Sequence, residues 1–338
     1  MPALRNFRRF AAIVLAGLSA AAFAEPAFVP VYRDNFPDAF VTRNGADFIA
    51  YATNDGINVP MLASRDLVHW APVADPANPG RRLDGMPRLA SWVKEGLTWA
   101  PEVIQVGNRW LLYYTAHDAR RNHQCIGVAS AAGPTGPFVD PSSQPLVCQV
   151  ELGGSIDANP FRDTDGKLYL YFKNDGNSVR TRSSIWGQQL GPDGLSVVGA
   201  PVELIHDDKE WEQRLVEAPT MVRSPIGYEL FFSAAYFGWN DDQRLSPYGM
   251  GYSECAGPLG PCKKSPDNPI LHSYRDSAAG CLSGPGHQSI FQVGARSFMS
   301  FHAWQATKGC RKAADKRELY IAPIFWKDGK PQIAPSLR

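Results

Sequence analysis

The sequence predicts an all-β chain folded as a five-bladed β-propeller, and three observations predict it. A short unit recurs five times, a turn glycine followed by five or six residues rich in Tyr, Trp, Phe and Leu, at spacings of roughly sixty residues. No long apolar stripe at helical spacing accompanies it, so helices should be few. The 338 residues include 30 Gly and 28 Pro, and frequent Gly/Pro turns go with many short strands. Units of three or four strands repeated radially build a propeller, and the chain has room for five. A β-sandwich or a pair of β-domains is the alternative.

In chain order, residues 1–24 read as a secretory signal peptide. Arg5, Arg8 and Arg9 precede an apolar run from Phe10 to Phe23 that ends Ala22-Phe23-Ala24. The run is shorter than the about 20 residues a membrane span needs, and the expectation is a secreted or periplasmic protein without membrane attachment after cleavage. Residues 25–338 are expected to form a single propeller domain, with Ala27 to Tyr32 closing the ring against the last blade.

The five units begin at Gly45, Gly107, Gly166, Gly227 and Gly294. Each is preceded by a leading strand: Phe40-Val41, Val103 to Val106, Asn159 to Arg162, Thr220 to Val222 and Ser289 to Val293. Each is followed by a third: Pro60 to Ser64, Ile126 to Ser130, Ser184 to Leu190, Gly249 to Glu254 and Glu318 to Phe325. A turn glycine between such runs is a hairpin signal, so every copy reads as a small antiparallel sheet.

Charge excludes some partners. Lys and Arg number 34 against 33 Asp and Glu, and losing the three leader arginines leaves a slight acidic excess, so a nucleic-acid partner is not expected. A monomer is expected. Cys125, Cys148, Cys255, Cys262, Cys281 and Cys310 make an even count in an exported chain, which favours disulfides. Of the fifteen pairings six cysteines allow, sequential pairing is the expectation. A cysteine metal site is the weaker reading, because no C-x-x-C spacing occurs.

The first strand of a propeller blade lines the central channel, so side chains at its start converge on the axis. There the copies carry Asp38 (Pro37-Asp38-Ala39-Phe40), Glu102 (Trp99-Ala100-Pro101-Glu102), Asp157 (Ile156-Asp157-Ala158-Asn159), Glu217 (Glu217-Ala218-Pro219) and His287 (Gly284-Pro285-Gly286-His287). Four blades offer a carboxylate and the fifth an imidazole. Such groups could instead cap turns or pair with nearby Arg, but their recurrence at one phase of the repeat favours a shared site.

These motifs resemble glycoside hydrolase family 43, together with Ser64-Arg65-Asp66-Leu67-Val68-His69-Trp70, Gly133-Pro134-Thr135-Gly136-Pro137-Phe138, Phe301-His302-Ala303-Trp304 and Trp326-Lys327-Asp328-Gly329-Lys330-Pro331. The resemblance spans the mature chain. It implies an inverting glycosidase acting on arabinofuranosyl linkages in plant polysaccharide, an α-L-arabinofuranosidase or arabinanase. A β-xylosidase and a non-catalytic carbohydrate-binding propeller are the alternatives. Asp38 looks like the general base, Glu217 like the general acid, and Asp157 like the residue that orients the acid and raises its pKa. Glycoside cleavage needs this division of labour, one group protonating the departing oxygen while another activates water on the opposite face. Glu102 is the rival candidate for the acid, but the resemblance places the acid in blade 4 and leaves Glu102 as a channel or substrate-binding residue.

The resemblance also implies that His287 ligates a channel calcium ion or water, a metal-free channel histidine being the other reading; no other cofactor is expected. Phe40 and Trp99 are candidate sugar-binding walls, Tyr236, Phe237 and Trp239 candidates for a deeper cleft, and Arg317 resembles an arginine holding the innermost sugar. The related fructan hydrolases are disfavoured, since Phe161-Arg162-Asp163-Thr164 lacks their Arg-Asp-Pro triplet.

Overall fold

The computed structural model describes residues 27–240, 244–276, 280–335 and 337. The expected leader, residues 1–24, lies outside the described residues. Antiparallel sheets follow one another along the chain as five blades. Blade 1 consists of Phe40–Asn44, Asp47–Tyr51, Met61–Ser64 and Ala71–Pro72, and blade 2 of Val93–Val106, Arg109–Asp118 and His123–Ala131. Blade 3 comprises Ser155–Arg162, Leu168–Asn174, Ser184–Leu190 and Val197–His206. Blade 4 comprises Val216–Ser224, Gly227–Ala234, Gly249–Cys255 and Cys262–Lys264, and blade 5 Gly286–Val293, Arg296–Ala306, Lys312–Lys327 and Lys330–Ile333.

The aromatic-rich second strands read as continuous apolar runs because both their faces are buried. Side chains alternate across a strand, so Leu111 and Tyr113 pack toward blade 3 while Trp110, Leu112 and Tyr114 pack toward blade 1. Blade 4 repeats the device, with Leu230 and Phe232 facing blade 3 and Phe231 facing blade 5. The core is therefore a set of apolar clusters, one between each pair of neighbouring blades. The ring closes as the sequence suggests, since Val31 N–H donates to Leu319 O at 2.8 Å and Leu319 N–H to Tyr32 O at 3.1 Å.

In blades 2 to 5 the leading strands begin earlier than expected and the site residues lie inside them, whereas blade 1 starts at Phe40 as expected with Asp38 just before it. Pairing is interrupted between Ile156 and Asn159, between Glu217 and Thr220, and between Gly286 and Ser289, with a matching shift between Trp99 and Glu102. At each interruption, and at Asp38 just before blade 1, one residue is left-handed: Asp38, Ala100, Asp157, Ala218 and His287, with φ of 58°, 44°, 58°, 52° and 52°. For residues other than glycine this conformation costs on the order of 1–3 kcal/mol, and such strain gathers at functional sites.

Each strained residue is held through its amide by the preceding blade. Ala100 N–H donates to Thr53 Oγ1 at 2.9 Å, Asp157 N–H to Thr115 Oγ1 at 3.1 Å, His287 N–H to Ser233 Oγ at 2.8 Å, and Asp38 N–H to His302 Nδ1 at 3.1 Å. Ala218 N–H instead donates to Asp157 Oδ2 at 2.9 Å.

Disulfides join Cys125 to Cys148 and Cys255 to Cys262, as sequential pairing predicts. The third expected bond is not formed. Cys281 and Cys310 are thiols, and burial together with neighbouring Cys310 pushes the Cys281 thiol up to about 12. Among the described residues no helix is long and apolar enough to cross a membrane.

Candidate active site

The strained strand starts surround a cleft of about 420 Å³. It gathers Asp38, Asp157, Glu217, His287, Arg317 and Trp99 from the residues singled out in the sequence, and Tyr236 and Phe237 from the aromatic loop. Thr53, Lys173, Asp175, Asn177 and Tyr248 line it as well, and the sequence reading missed all five. A groove of similar volume lies at the other end of blades 4 and 5, bordered by Arg223, Arg296 and Phe325; no carboxylate lines it, which leaves it without acid–base chemistry.

Three expected binding residues sit elsewhere. Phe40 packs against Tyr51, ring centroids 6.3 Å apart, in the cluster between blades 1 and 2. Glu102 is 5% exposed and accepts a bond from Asn159 Nδ2 at 2.7 Å, outside the cleft lining. The left-handed residue two positions earlier explains both: it or its predecessor reaches the cleft, and Phe40 and Glu102 already stand in regular strand pairing. Trp239 is buried within its own loop, its indole N–H donating to Arg244 O at 2.7 Å.

Asp38 is clamped by donors. Thr53 Oγ1 donates to its Oδ2 at 2.5 Å and Arg317 Nη1 to its Oδ1 at 2.8 Å, while Nδ1 of His287 and of His302 each lie 3.3 Å from Oδ1. Burial works to raise the Asp38 pKa, but Arg317 foremost, with His287, outweighs it and holds the carboxyl well below the usual range. His302 itself is pushed down to about 4 by burial and by Arg317, so it is a neutral imidazole that accepts the Asp38 amide. Arg317 lies over the Phe237 ring at 5.2 Å, which fixes the guanidinium from its other side.

Asp157 and Glu217 occupy the other side of the electrostatic divide. Burial, reinforced by Glu217, pushes Asp157 up to about 6 against the opposing pull of His287 and Lys173. Lys173 Nζ lies 3.0 Å from Glu217 Oε2, and the Tyr248 hydroxyl is also hydrogen-bonded to Glu217. Gly286 is required beside this tyrosine, because a Cβ there would run into the Tyr248 ring. Glu102 is pushed well above the ordinary range by burial, with a further contribution from Asp157, and so is a neutral acid in the channel.

Among the described residues no group of three or more His, Cys, Asp or Glu side chains could hold a metal ion, and His287 Nδ1 faces Asp38 instead.

A five-bladed ring bringing carboxylates from three blades to one axial cleft has the constitution of a glycoside hydrolase. The chain belongs to glycosyl hydrolases family 43, whose model matches residues 28–331. The β-D-galactofuranosidase xynD of Aspergillus niger is 31% identical over 215 residues, covering 59% of this chain and 54% of that protein. A β-xylosidase of Bacillus subtilis is 27% identical over 325 residues, 90% of this chain and 56% of that one. The chain thus spans about half the length of these two relatives. The extracellular exo-α-(1→5)-L-arabinofuranosidase ArbA of Cellvibrio japonicus is 23% identical, with 88% and 85% covered. Among solved structures, a thermostable family-43 glycoside hydrolase superposes with a TM-score of 0.75 at 27% identity, covering 92% of this chain and 98% of that one.

Proposed function

We propose that the protein is an exported, inverting glycoside hydrolase that cleaves arabinofuranosyl linkages in plant polysaccharide, with Asp38 as general base and Glu217 as general acid. The observation that carries this reading is the contrast among the cleft carboxylates. Asp38 is clamped by Arg317 and held ionised, whereas burial and the neighbouring Glu217 raise the pKa of Asp157. Environments that push carboxyl groups apart in this way assign acid and base.

In the proposed step the Glu217 O–H bond breaks and its proton goes to the glycosidic oxygen. The bond from the anomeric carbon to that oxygen breaks, the electron pair leaving with the oxygen. Water adds to the opposite face of the anomeric carbon and gives its proton to Asp38. Trp99, Tyr236 and Phe237 offer apolar faces to the sugar rings, and Asp175 and Asn177 offer polar groups to their hydroxyls. Two furanoside-acting relatives support the arabinofuranosyl reading. The Bacillus subtilis relative, matched along nearly the whole chain, supports a β-xylosidase as the second reading.

Incubation with linear arabinan, branched arabinan, arabinoxylan and xylo-oligosaccharides, followed by product size and anomeric configuration, tests the proposal. Arabinose or arabino-oligosaccharides released with initial inversion are expected. Xylose alone would transfer the assignment to the xylosidase, and binding without release would leave a carbohydrate-binding propeller.

The pH dependence has a definite sign. The base works ionised, so activity falls on the acid side only as Asp38 takes up a proton, well below the usual carboxylate range. The acid works protonated, so activity falls on the basic side as it loses its proton, and Asp157 beside it is itself pushed up to about 6 by burial and by Glu217. A kcat/KM profile from pH 3 to 9 should peak on the acidic side of neutrality; a maximum above pH 8 would contradict this.

A further inference from the structure

We infer that Lys173 is a positioning residue for proton donation by Glu217, placed there by a single departure from the propeller's internal repeat. The inference rests on the reading of Glu217 as the acid. Register aligns one position across the blades: Thr115 pairs with Trp99, Lys173 with Ile156, Ser233 with Glu217 and His302 with Gly286, each partner lying one residue before a strained one. Thr53 holds the corresponding place in blade 1, as its bond to Ala100 N–H indicates. Four of these side chains accept the strained amide of the following blade. An ammonium has three donors and no acceptor, so Lys173 cannot do the same for Ala218.

Two consequences meet at the acid. Asp157 Oδ2 takes the Ala218 amide at 2.9 Å, which fixes the carboxylate beside Glu217. Lys173, relieved of the scaffold bond, places Nζ 3.0 Å from Glu217 Oε2 and 3.6 Å from Asp175 Oδ1. The side chain is only 1% exposed, and a buried ammonium is costly unless paired. A hydroxyl or imidazole serves at this position in the other blades, so the fold itself does not call for the charge.

The charged and titratable neighbours of Glu217 come from several elements. Lys173 approaches from the second strand of blade 3, with Asp175 behind it; Asp157 from the first strand of blade 3, itself facing His287 of blade 5; and Tyr248 from just before the third strand of blade 4. Asp157 opposes a second negative charge and so favours the protonated acid. Lys173 stabilises the carboxylate that develops as the proton leaves. The first neighbour loads the donor and the second assists its discharge.

Lys173→Met, which keeps the apolar stem, and Lys173→Thr, the residue of blades 1 and 2, test the assignment. The assay measures kcat and kcat/KM against pH on an unactivated arabino-oligosaccharide and on 4-nitrophenyl α-L-arabinofuranoside, whose leaving group needs little protonation. With the ammonium gone, kcat on the oligosaccharide should fall roughly 10- to 100-fold, part of the about 10²- to 10⁴-fold that a general acid supplies. The aryl substrate should lose less than about threefold, and the basic limb should move up by about one pH unit or more, because an opposite charge at this range shifts a carboxyl by about that much. Lys173→Arg should restore the wild-type limb. Equal losses on both substrates with an unmoved limb, or no loss at all, would overturn the assignment. Should the methionine variant fail to fold, the threonine variant decides alone, since the fold already accommodates that residue twice. Glu217→Gln in the same series separates the two readings: if it leaves the oligosaccharide rate intact, the acid assignment fails whatever the lysine variants do.

Discussion

Glu217→Gln is expected to slow hydrolysis of an unactivated arabino-oligosaccharide by about 10²- to 10⁴-fold, the usual contribution of a positioned general acid. Glutamine has the shape of glutamate and still offers an oxygen to Lys173 Nζ, so the cleft should keep its form. What it lacks is an acidic proton. A 4-nitrophenyl glycoside, whose departing phenolate needs no proton, should therefore react at close to the wild-type rate. Its kcat/KM should also lose the basic limb, because the ionisation responsible for that limb has been removed. Circular dichroism and thermal melting establish that the variant is folded. Full activity of a folded Glu217→Gln protein on the oligosaccharide would move the acid elsewhere, and Asp157, pushed up to about 6, would be the next candidate.

Much of this arrangement could be read before any coordinates because propellers repeat. The second strands announced themselves as aromatic runs after a turn glycine, since burial on both faces removes the polar alternation of an exposed sheet. Asp38, Asp157, Glu217 and His287 were legible because ionisable groups recurred at one phase of the repeat. Phe40 and Glu102 lie outside the cleft for a specific reason. A left-handed residue changes which side chains face the cleft, and Ala100 at φ 44° gives no sign in the sequence of adopting it. Lys173 was passed over because it follows the apolar run Leu168-Tyr169-Leu170-Tyr171-Phe172 and resembles a solvated strand end. Aligning it with Thr53, Thr115, Ser233 and His302 would have marked it as the residue that does not fit.

Asp38→Asn should cost about 10²- to 10⁴-fold as well, but with a different signature. Activation of water is needed whichever group departs, so the aryl substrate and the oligosaccharide should suffer alike. That contrast with Glu217→Gln distinguishes base from acid without reference to any other enzyme. Asparagine suits the position, because it tolerates the left-handed backbone that Asp38 adopts at φ 58°. Asp38→Gly accepts that φ freely and opens space for a small nucleophile. Azide should then restore turnover of the aryl substrate and yield a glycosyl azide of inverted configuration. A glycosyl azide of retained configuration, or losses confined to the oligosaccharide, would remove Asp38 from the role of base. Stability provides an independent reading of the same carboxylate. A group whose pKa is depressed on folding contributes stability above its unfolded value of about 3.9 and loses it as the pH falls through the folded value. Asp38→Asn forfeits that contribution and leaves Arg317 without its nearest anion. Its melting temperature should therefore fall below wild type at neutral pH, and the gap should narrow as the pH drops below the usual carboxylate range.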